Sequence, residues 1–212
     1  MEHKGALEAG GDFYDVIALP DARIGLAIGD VMGHGIAAAA VMGQLRATLR
    51  AYALEDHPPA VLLARLNTVV DALGSGTLTT CTYAVYDPAS RTLRIATAGH
   101  LPPLLSGPGQ PTRYLDLEPG LPLGVGDVEF TETVVTLAPL STIVLYTDGL
   151  VETRQAPLDA GLDRLARAVT GLTLTPEQTC QHLLDQLHPA APDHSAADDD
   201  IALLVATTSP AG

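Results

Sequence analysis

The run from Asp12 to Asp30 constrains the fold more than any other part of this sequence. Asp12 to Leu19 (DFYDVIAL) alternates loosely and is rich in strand formers, Pro20-Asp21-Ala22 supplies turn chemistry, and Arg23 to Gly29 (RIGLAIG) is an apolar strand. A hairpin centred on Asp21 puts Asp12 directly opposite Asp30. Opposed residues share a face with Cβ atoms about 4.5–5.5 Å apart, where two carboxylates repel unless a cation lies beside them. An apolar hairpin that ends on such a pair points to a cation site.

The remaining elements alternate hairpins with helix pairs. Ile36 to Leu54 carries Val41, Leu45, Thr48, Leu49 and Tyr52 at helical spacing, and Pro58-Pro59 starts a second helix, Ala60 to Leu73, with Val61, Leu62, Leu66, Val69, Val70 and Leu73 on its apolar face. Thr79 to Tyr86, the turn Asp87-Pro88-Ala89-Ser90 and Thr92 to Ala98 form a second hairpin. Leu101 to Gly126 reads as short strands linked by loops, and Glu129 to Leu137 and Thr142 to Thr147 as two further strands. Leu158 to Val169 and Pro176 to Leu187 are helical, the second capped by Thr175; a polar loop, His188 to Ala197, leads to Asp198-Asp199-Asp200 and the strand Ile201 to Thr207. Antiparallel hairpins with helix pairs make the class α+β, with helices covering sheet faces.

Charge narrows the function. The chain has 25 Asp plus Glu against 11 Lys plus Arg, a formal net charge of −14, and is 47% hydrophobic. A surface this acidic repels phosphate backbones and anionic lipid, which argues against nucleic-acid and membrane partners. No apolar run approaches the ~18 residues of a membrane span, and the N-terminus lacks the apolar core of a leader, so a cytoplasmic protein is expected. Cys81 and Cys180 show no C-x-x-C spacing and read as core thiols.

Further carboxylates fall at strand ends. Asp148 follows the strand TIVLYT, and Asp199 and Asp200 precede IALLVA; antiparallel neighbours would bring these to one end of a sheet. Hard oxygen ligands without His or Cys partners favour Mg²⁺, Mn²⁺ or Ca²⁺ over zinc. Two such ions bind phosphate oxygens and acidify a bridging water, which suits phosphate-ester hydrolysis without a covalent enzyme intermediate.

These residues also resemble a family. Gly10-Gly11-Asp12-Phe13-Tyr14-Asp15, Gly29-Asp30-Val31-Met32-Gly33-His34-Gly35, Ala98-Gly99-His100-Leu101-Pro102-Pro103, Leu121-Pro122-Leu123-Gly124, Tyr146-Thr147-Asp148-Gly149-Leu150-Val151-Glu152 and Asp199-Asp200-Ile201-Ala202 are similar, in order, to the motifs of SpoIIE-type serine phosphatases, the bacterial branch of the metal-dependent PPM (protein phosphatase 2C, PP2C) superfamily. The resemblance implies a four-layer α-β-β-α sandwich of two antiparallel sheets flanked by helix pairs. It implies residues 1–9 as a short tail or truncated edge strand and 10–208 as a single phosphatase domain. It implies two divalent cations, Mn²⁺ or Mg²⁺, held by Asp12, Asp30, the backbone carbonyl of Val31, Asp148 and Asp199, the four carboxylates being catalytic through a metal-bound water. Asp15, His34, Gly149, Glu152 and Asp200 are candidates for the surrounding shell.

The implied activity is hydrolysis of a phosphoserine or phosphothreonine ester, on a STAS-type anti-sigma-factor antagonist within a partner-switching stress or developmental pathway. Regulation would come from a partner chain, a second copy, or a portion outside this sequence. The alternative is a phosphatase-like binding module with little turnover. The chain departs from the pattern in places: Ala202 stands where Thr is frequent, His34 lies four residues after Asp30 rather than two as in eukaryotic relatives, and no Arg precedes Asp12. His100 opens a proline-rich turn and reads as structural. Asp15 reads either as an acceptor behind the metal site or as a strand residue facing water.

Overall fold

The computed structural model describes residues 1–7, 10–74, 76–152, 157–188 and 200–210. In chain order the elements are β1 (Glu2–Leu7), β2 (Asp12–Ala18), β3 (Ile24–Val31), α1 (Gly35–Leu54), α2 (Pro59–Leu73), β4 (Thr79–Asp87), β5 (Thr92–Ala98), β6 (Leu104–Gly107), β7 (Gln110–Tyr114), β8 (Thr133–Thr136), β9 (Thr142–Tyr146), α3 (Leu158–Val169), α4 (Pro176–Leu187) and β10 (Ala202–Thr207). They form two compact units. The first comprises Ala9–His100 with Asp116–Leu137, and the second Met1–Glu8, Leu101–Leu115 and Ala138–Gly212.

The first unit is a five-stranded antiparallel sheet in the order β2-β3-β4-β5-β8, with α1 against β2 and β3 and α2 against β4 and β5. Alternation along the strands decides which side chains meet the helices. Phe13 and Ile17 of β2, Ala27 of β3 and Cys81, Tyr83 and Val85 of β4 pack with Leu45 and Leu49 of α1 and Leu62, Leu66 and Val70 of α2. Asp12 and Asp30 have the opposite parity and therefore lie on the other face of the sheet. At about 25 cal/mol per Å² of apolar surface, this core anchors the hairpin that carries the acid pair.

Two expectations for this unit need correction. The α2 face is rotated: Val61 is exposed, whereas Leu63 and the polar Asn67 are buried. Asn67 is satisfied because its Nδ2 donates to the Gly126 carbonyl at 2.7 Å and its Oδ1 accepts from the Gly124 amide at 2.8 Å. A loop thus supplies what an apolar neighbour would have supplied elsewhere on the face. The strand expected over Glu129 to Leu137 shortens to Thr133–Thr136, paired with β5 only from Thr92 to Ile95. Beyond Ile95 the Gly120 backbone crowds the Thr97 carbonyl, since a Cβ at Gly120 would lie 2.4 Å from that oxygen, and this occupies the edge that a longer strand would need.

The second unit is also a five-stranded antiparallel sheet, in the order β1-β10-β9-β6-β7, with α4 against β1 and β10 and α3 against α4 and β7. Residues Glu2–Leu7, read from sequence as a tail or truncated edge strand, form the edge strand β1, paired with β10 from Glu2↔Thr207 to Leu7↔Ala202. The helices keep the bounds expected from sequence. In α4 the Gln178 amide donates to Thr175 Oγ1 at 3.2 Å, and the Thr175 amide donates to Gln178 Oε1 at 3.1 Å, a reciprocal cap. The core joins Leu104, Val144, Tyr146, Leu165, Val169, Leu183, Leu203 and Val205. The class is α+β, and each unit is one antiparallel sheet carrying one helix pair.

Candidate active site

The β2–β3 ladder runs from Asp12↔Asp30 to Ala18↔Ile24, so the two carboxylates are register partners. Asp12 is 2% exposed, and Asp30 is half-buried. Gly11 shapes the space around them. Its carbonyl accepts from the Val31 amide at 3.2 Å, and a Cβ at Gly11 would lie 2.3 Å from the Val31 carbonyl oxygen and 3.3 Å from Asp30 Oδ1. Only a residue without a side chain lets the Val31 carbonyl and the Asp30 carboxylate stand this close to the start of β2.

The resulting donors are two carboxylates and a carbonyl, all oxygen, with one carboxylate almost wholly removed from water. Hard oxygen donors suit Mg²⁺ or Mn²⁺, which bind through one or two carboxylates. The residues therefore fit a divalent cation. Among the described residues, no three or more His, Cys, Asp or Glu side chains cluster to hold an ion. Here the donor set is the pair plus the Val31 carbonyl.

The second acidic group lies in the other unit. Asp148 follows β9 and opens a 3-10 turn, Asp148–Leu150. Its Oδ1 accepts from the Gly149 amide at 2.9 Å, and its carbonyl accepts from the amides of Val151 at 2.8 Å and Glu152 at 2.7 Å. The preceding residue is locked: the Thr147 amide donates to the Ala202 carbonyl at 3.0 Å, and the Ala202 amide donates to Thr147 Oγ1 at 2.8 Å. Because β9 and β10 are antiparallel neighbours with Leu203↔Tyr146 in register, Asp148 and Asp200 lie at the same end of this sheet. Asp199 lies outside the described residues. Gly149 is buried and Glu152 is exposed.

Two other candidates take definite places. Asp15 is 3% exposed and does not face water. It sits on the helix side of β2, where Arg50 Nη2 donates to its Oδ1 at 2.6 Å and Arg50 Nε to its Oδ2 at 2.9 Å, with Arg46 Nη2 3.8 Å away. His34 is exposed at the N-cap of α1, between Gly33 and Gly35, with no side-chain capping bond.

The strand register adds a residue that the motifs did not pick out. The β3–β4 ladder pairs Asp30 with Thr80, so Asp12, Asp30 and Thr80 form one row across three strands. Thr80 Oγ1 is 2.8 Å from His100 Nδ1. The signal available in the sequence was the pairing of the second hairpin with the first, which places Thr80 once the shared edge is known.

The chain is similar to known proteins in sequence and in fold. The family model "Stage II sporulation protein E (SpoIIE)" matches residues 20–209. The phosphoserine phosphatase RsbU of Bacillus subtilis is 32% identical over 157 residues, covering 70% of this chain and 45% of RsbU. The chain spans less than half the length of the curated relatives it matches. The crystal structure of the RsbU and RsbW domains of Rv1364c from Mycobacterium tuberculosis superimposes with a TM-score of 0.82 at 30% identity, over 100% of this chain and 61% of that one. The PP2C phosphatase domain of SpoIIE from Bacillus subtilis, solved with a fragment of its regulatory domain, superimposes with a TM-score of 0.81 at 17% identity, over 100% of this chain and 64% of that one, and shares the fold. Asp12 precedes the span matched by the family model, and its place opposite Asp30 follows from strand register alone. With residues 20–209 matched by the family model, this chain belongs to the SpoIIE family.

Proposed function

We propose that the chain is a metal-dependent protein serine/threonine phosphatase, with residues 10–208 as its catalytic domain. The observation that carries this reading is the register opposition of Asp12 and Asp30 beside the Val31 carbonyl, an all-oxygen donor set of the chemistry that a hard cation takes. Its relation to RsbU, a named phosphoserine phosphatase, supports the reaction class.

Asp12, Asp30 and the Val31 carbonyl would hold two divalent cations, Mn²⁺ or Mg²⁺, with Asp148 and Asp199 assigned as further ligands by motif alone. When bound, the cations supply charge neutralisation at phosphate oxygens and acidification of a coordinated water. The chain's own part is orientation. The β2–β3 ladder holds Asp12 and Asp30 at a fixed separation, Gly11 keeps the Val31 carbonyl accessible, and the Gly149 amide turns Asp148 Oδ1. Hydrolysis releases the serine or threonine hydroxyl and inorganic phosphate, with no bond from enzyme to phosphorus.

The substrate we assign is a phosphorylated STAS-type anti-sigma-factor antagonist in a partner-switching pathway, in the cytoplasm. The Rv1364c structure, in which an RsbU domain and an RsbW domain belong to one protein, supports that setting. Among the described residues no helix is long and apolar enough to cross a membrane. Control would come from a partner, a second copy or segments beyond this sequence.

The test is hydrolysis of para-nitrophenyl phosphate with Mn²⁺, Mg²⁺ or EDTA, comparing the parent with Asp30→Asn and Asp148→Asn. Turnover that requires metal and is lost in both variants is the expected result. Turnover that survives EDTA would sink the metal mechanism. Binding of a phosphorylated antagonist without turnover, in the presence of metal and any activating partner, would favour a binding module instead.

A further inference from the structure

The row that contains the acid pair does not end at Asp30. Thr80 faces Asp30 from β4, and the β4–β5 ladder, with Cys81↔Ala98 in register, would place Gly99 opposite Thr80. At that point the chain leaves β5. Gly99 adopts φ +64°, and a Cβ there would lie 2.7 Å from Pro122 Cγ and 2.9 Å from the Pro122 nitrogen, so a side chain at position 99 would be both strained and crowded. The left-handed step brings the His100 imidazole to Thr80, with Nδ1 2.8 Å from Oγ1.

The imidazole is fixed at its backbone as well. Thr97 Oγ1 lies 3.4 Å from the His100 carbonyl and is itself 3.1 Å from Thr82 Oγ1, on the same sheet face. A left-handed glycine, a crowded proline and a hydroxyl ladder together bring this histidine to the row of the acid pair. Both Thr80 and His100 are half-buried, so each touches the core and remains accessible.

We infer that Thr80 and His100 are a positioning pair for the Asp12–Asp30 site, bounding it on its β4 side and holding Asp30 in the orientation that binds a cation. This rests on the phosphatase reading and extends it. Groups that orient metal-binding side chains from outside are worth about 10–100-fold in metal affinity or activity. Thr80 is the informative residue because valine replaces its hydroxyl with a methyl of the same shape, and serine keeps the hydroxyl.

The experiment compares the parent, Thr80→Val, Thr80→Ser, His100→Ala and the double variant Thr80→Val/His100→Ala. Mn²⁺ affinity is read by calorimetry, kcat and KM on para-nitrophenyl phosphate, and folding by thermal midpoint. We expect Thr80→Val and His100→Ala each to lose about 10-fold or more in Mn²⁺ affinity or kcat. Thr80→Ser should stay within about twofold of the parent, and the double variant should be no worse than His100→Ala, because residues acting as one unit are not additive. Should Thr80→Val fail to fold, His100→Ala and Thr80→Ser give the same contrast. Parent-like affinity and kcat in both single variants would overturn the inference, as would a serine variant as impaired as the valine one or single effects that multiply. A parent that binds Mn²⁺ but hydrolyses nothing would overturn the phosphatase reading and leave the affinity contrast to decide this one; a parent that binds no Mn²⁺ would overturn both.

Discussion

Arg50 on α1 grips Asp15 on β2 with two hydrogen bonds, Nη2 to Oδ1 at 2.6 Å and Nε to Oδ2 at 2.9 Å, and Nη2 also reaches the Val16 carbonyl at 3.2 Å. Asp15 lies three residues from Asp12 on the opposite face of the same strand, so this ion pair ties the helix to the strand that carries one carboxylate of the acid pair. The carboxylate beside it also holds the Arg50 guanidinium above its usual pKa, through the hydrogen bond first.

Arg50→Ala leaves Asp15 buried with the Val16 amide, at 2.9 Å, and the more distant Arg46 facing it. Loss of charged hydrogen bonds to a buried acceptor costs about 1–3 kcal/mol. The variant should therefore unfold at lower urea, with an unchanged slope. Arg50→Lys should recover only part of the loss, because an ammonium cannot present the planar fork. Parent-like stability in Arg50→Ala would show that the pair contributes nothing measurable.

A cation held at the acid pair, as proposed, would make stability depend on metal. Without metal, Asp12 and Asp30 repel across the ladder, so Asp30→Asn should raise metal-free stability by up to about 1 kcal/mol while weakening Mn²⁺ binding. In the parent, Mn²⁺ at about 100 times its Kd should stabilise by about 2.7 kcal/mol. Thermal melts in EDTA and in Mn²⁺ check both; a parent whose midpoint ignores Mn²⁺ contradicts a cation site.

Gly11→Ala tests the space beside the pair. Its Cβ would meet the Val31 carbonyl at 2.3 Å, which backbone must move to relieve. Activity should fall at least about 10-fold, with a stability loss of about 1–3 kcal/mol from overpacking. Kinetics together with denaturant unfolding separate the two effects. A variant with full activity would show that the Val31 carbonyl need not keep its place.

Burial raises the Cys81 thiol from its ordinary 9.0 to about 12. On a Cys180→Ser background, native protein at pH 8 should resist Ellman's reagent and react only once guanidinium unfolds it. The sign of the linked stability follows. Below pH 9 both folded and unfolded thiols are protonated and cost nothing, whereas between pH 9 and about 12 only the unfolded chain releases its proton, so stability falls as pH rises. Replacing Cys81 with Ala should remove the thiol's share of that fall and leave the share of the Tyr83 and Tyr114 hydroxyls, which burial also raises, and rapid labelling of native protein would contradict the burial.

What the sequence determined by itself was local. Turn chemistry at Pro20-Asp21-Ala22 and a side-chain period of two are enough to set Asp12 against Asp30, because register within a tight hairpin depends only on the residues between its arms. The bounds of α3 and α4 were legible for the same reason, with Thr175 and Gln178 capping from positions three apart. Tertiary structure decided everything that depends on which distant edges meet. The face that α2 buries turned on a loop reaching Asn67, and the length of β8 on Gly120 occupying its neighbour's edge. Asp15 is a buried ion-pair partner because α1 lays Arg50 across its face of the sheet. Thr80 joins the acid row because β4 pairs with β3 across an intervening pair of helices, and Gly99 then turns His100 toward it. Periodicity and turn residues act over a few positions, whereas these contacts join segments tens of residues apart, and their geometry exists only after the sheet has closed.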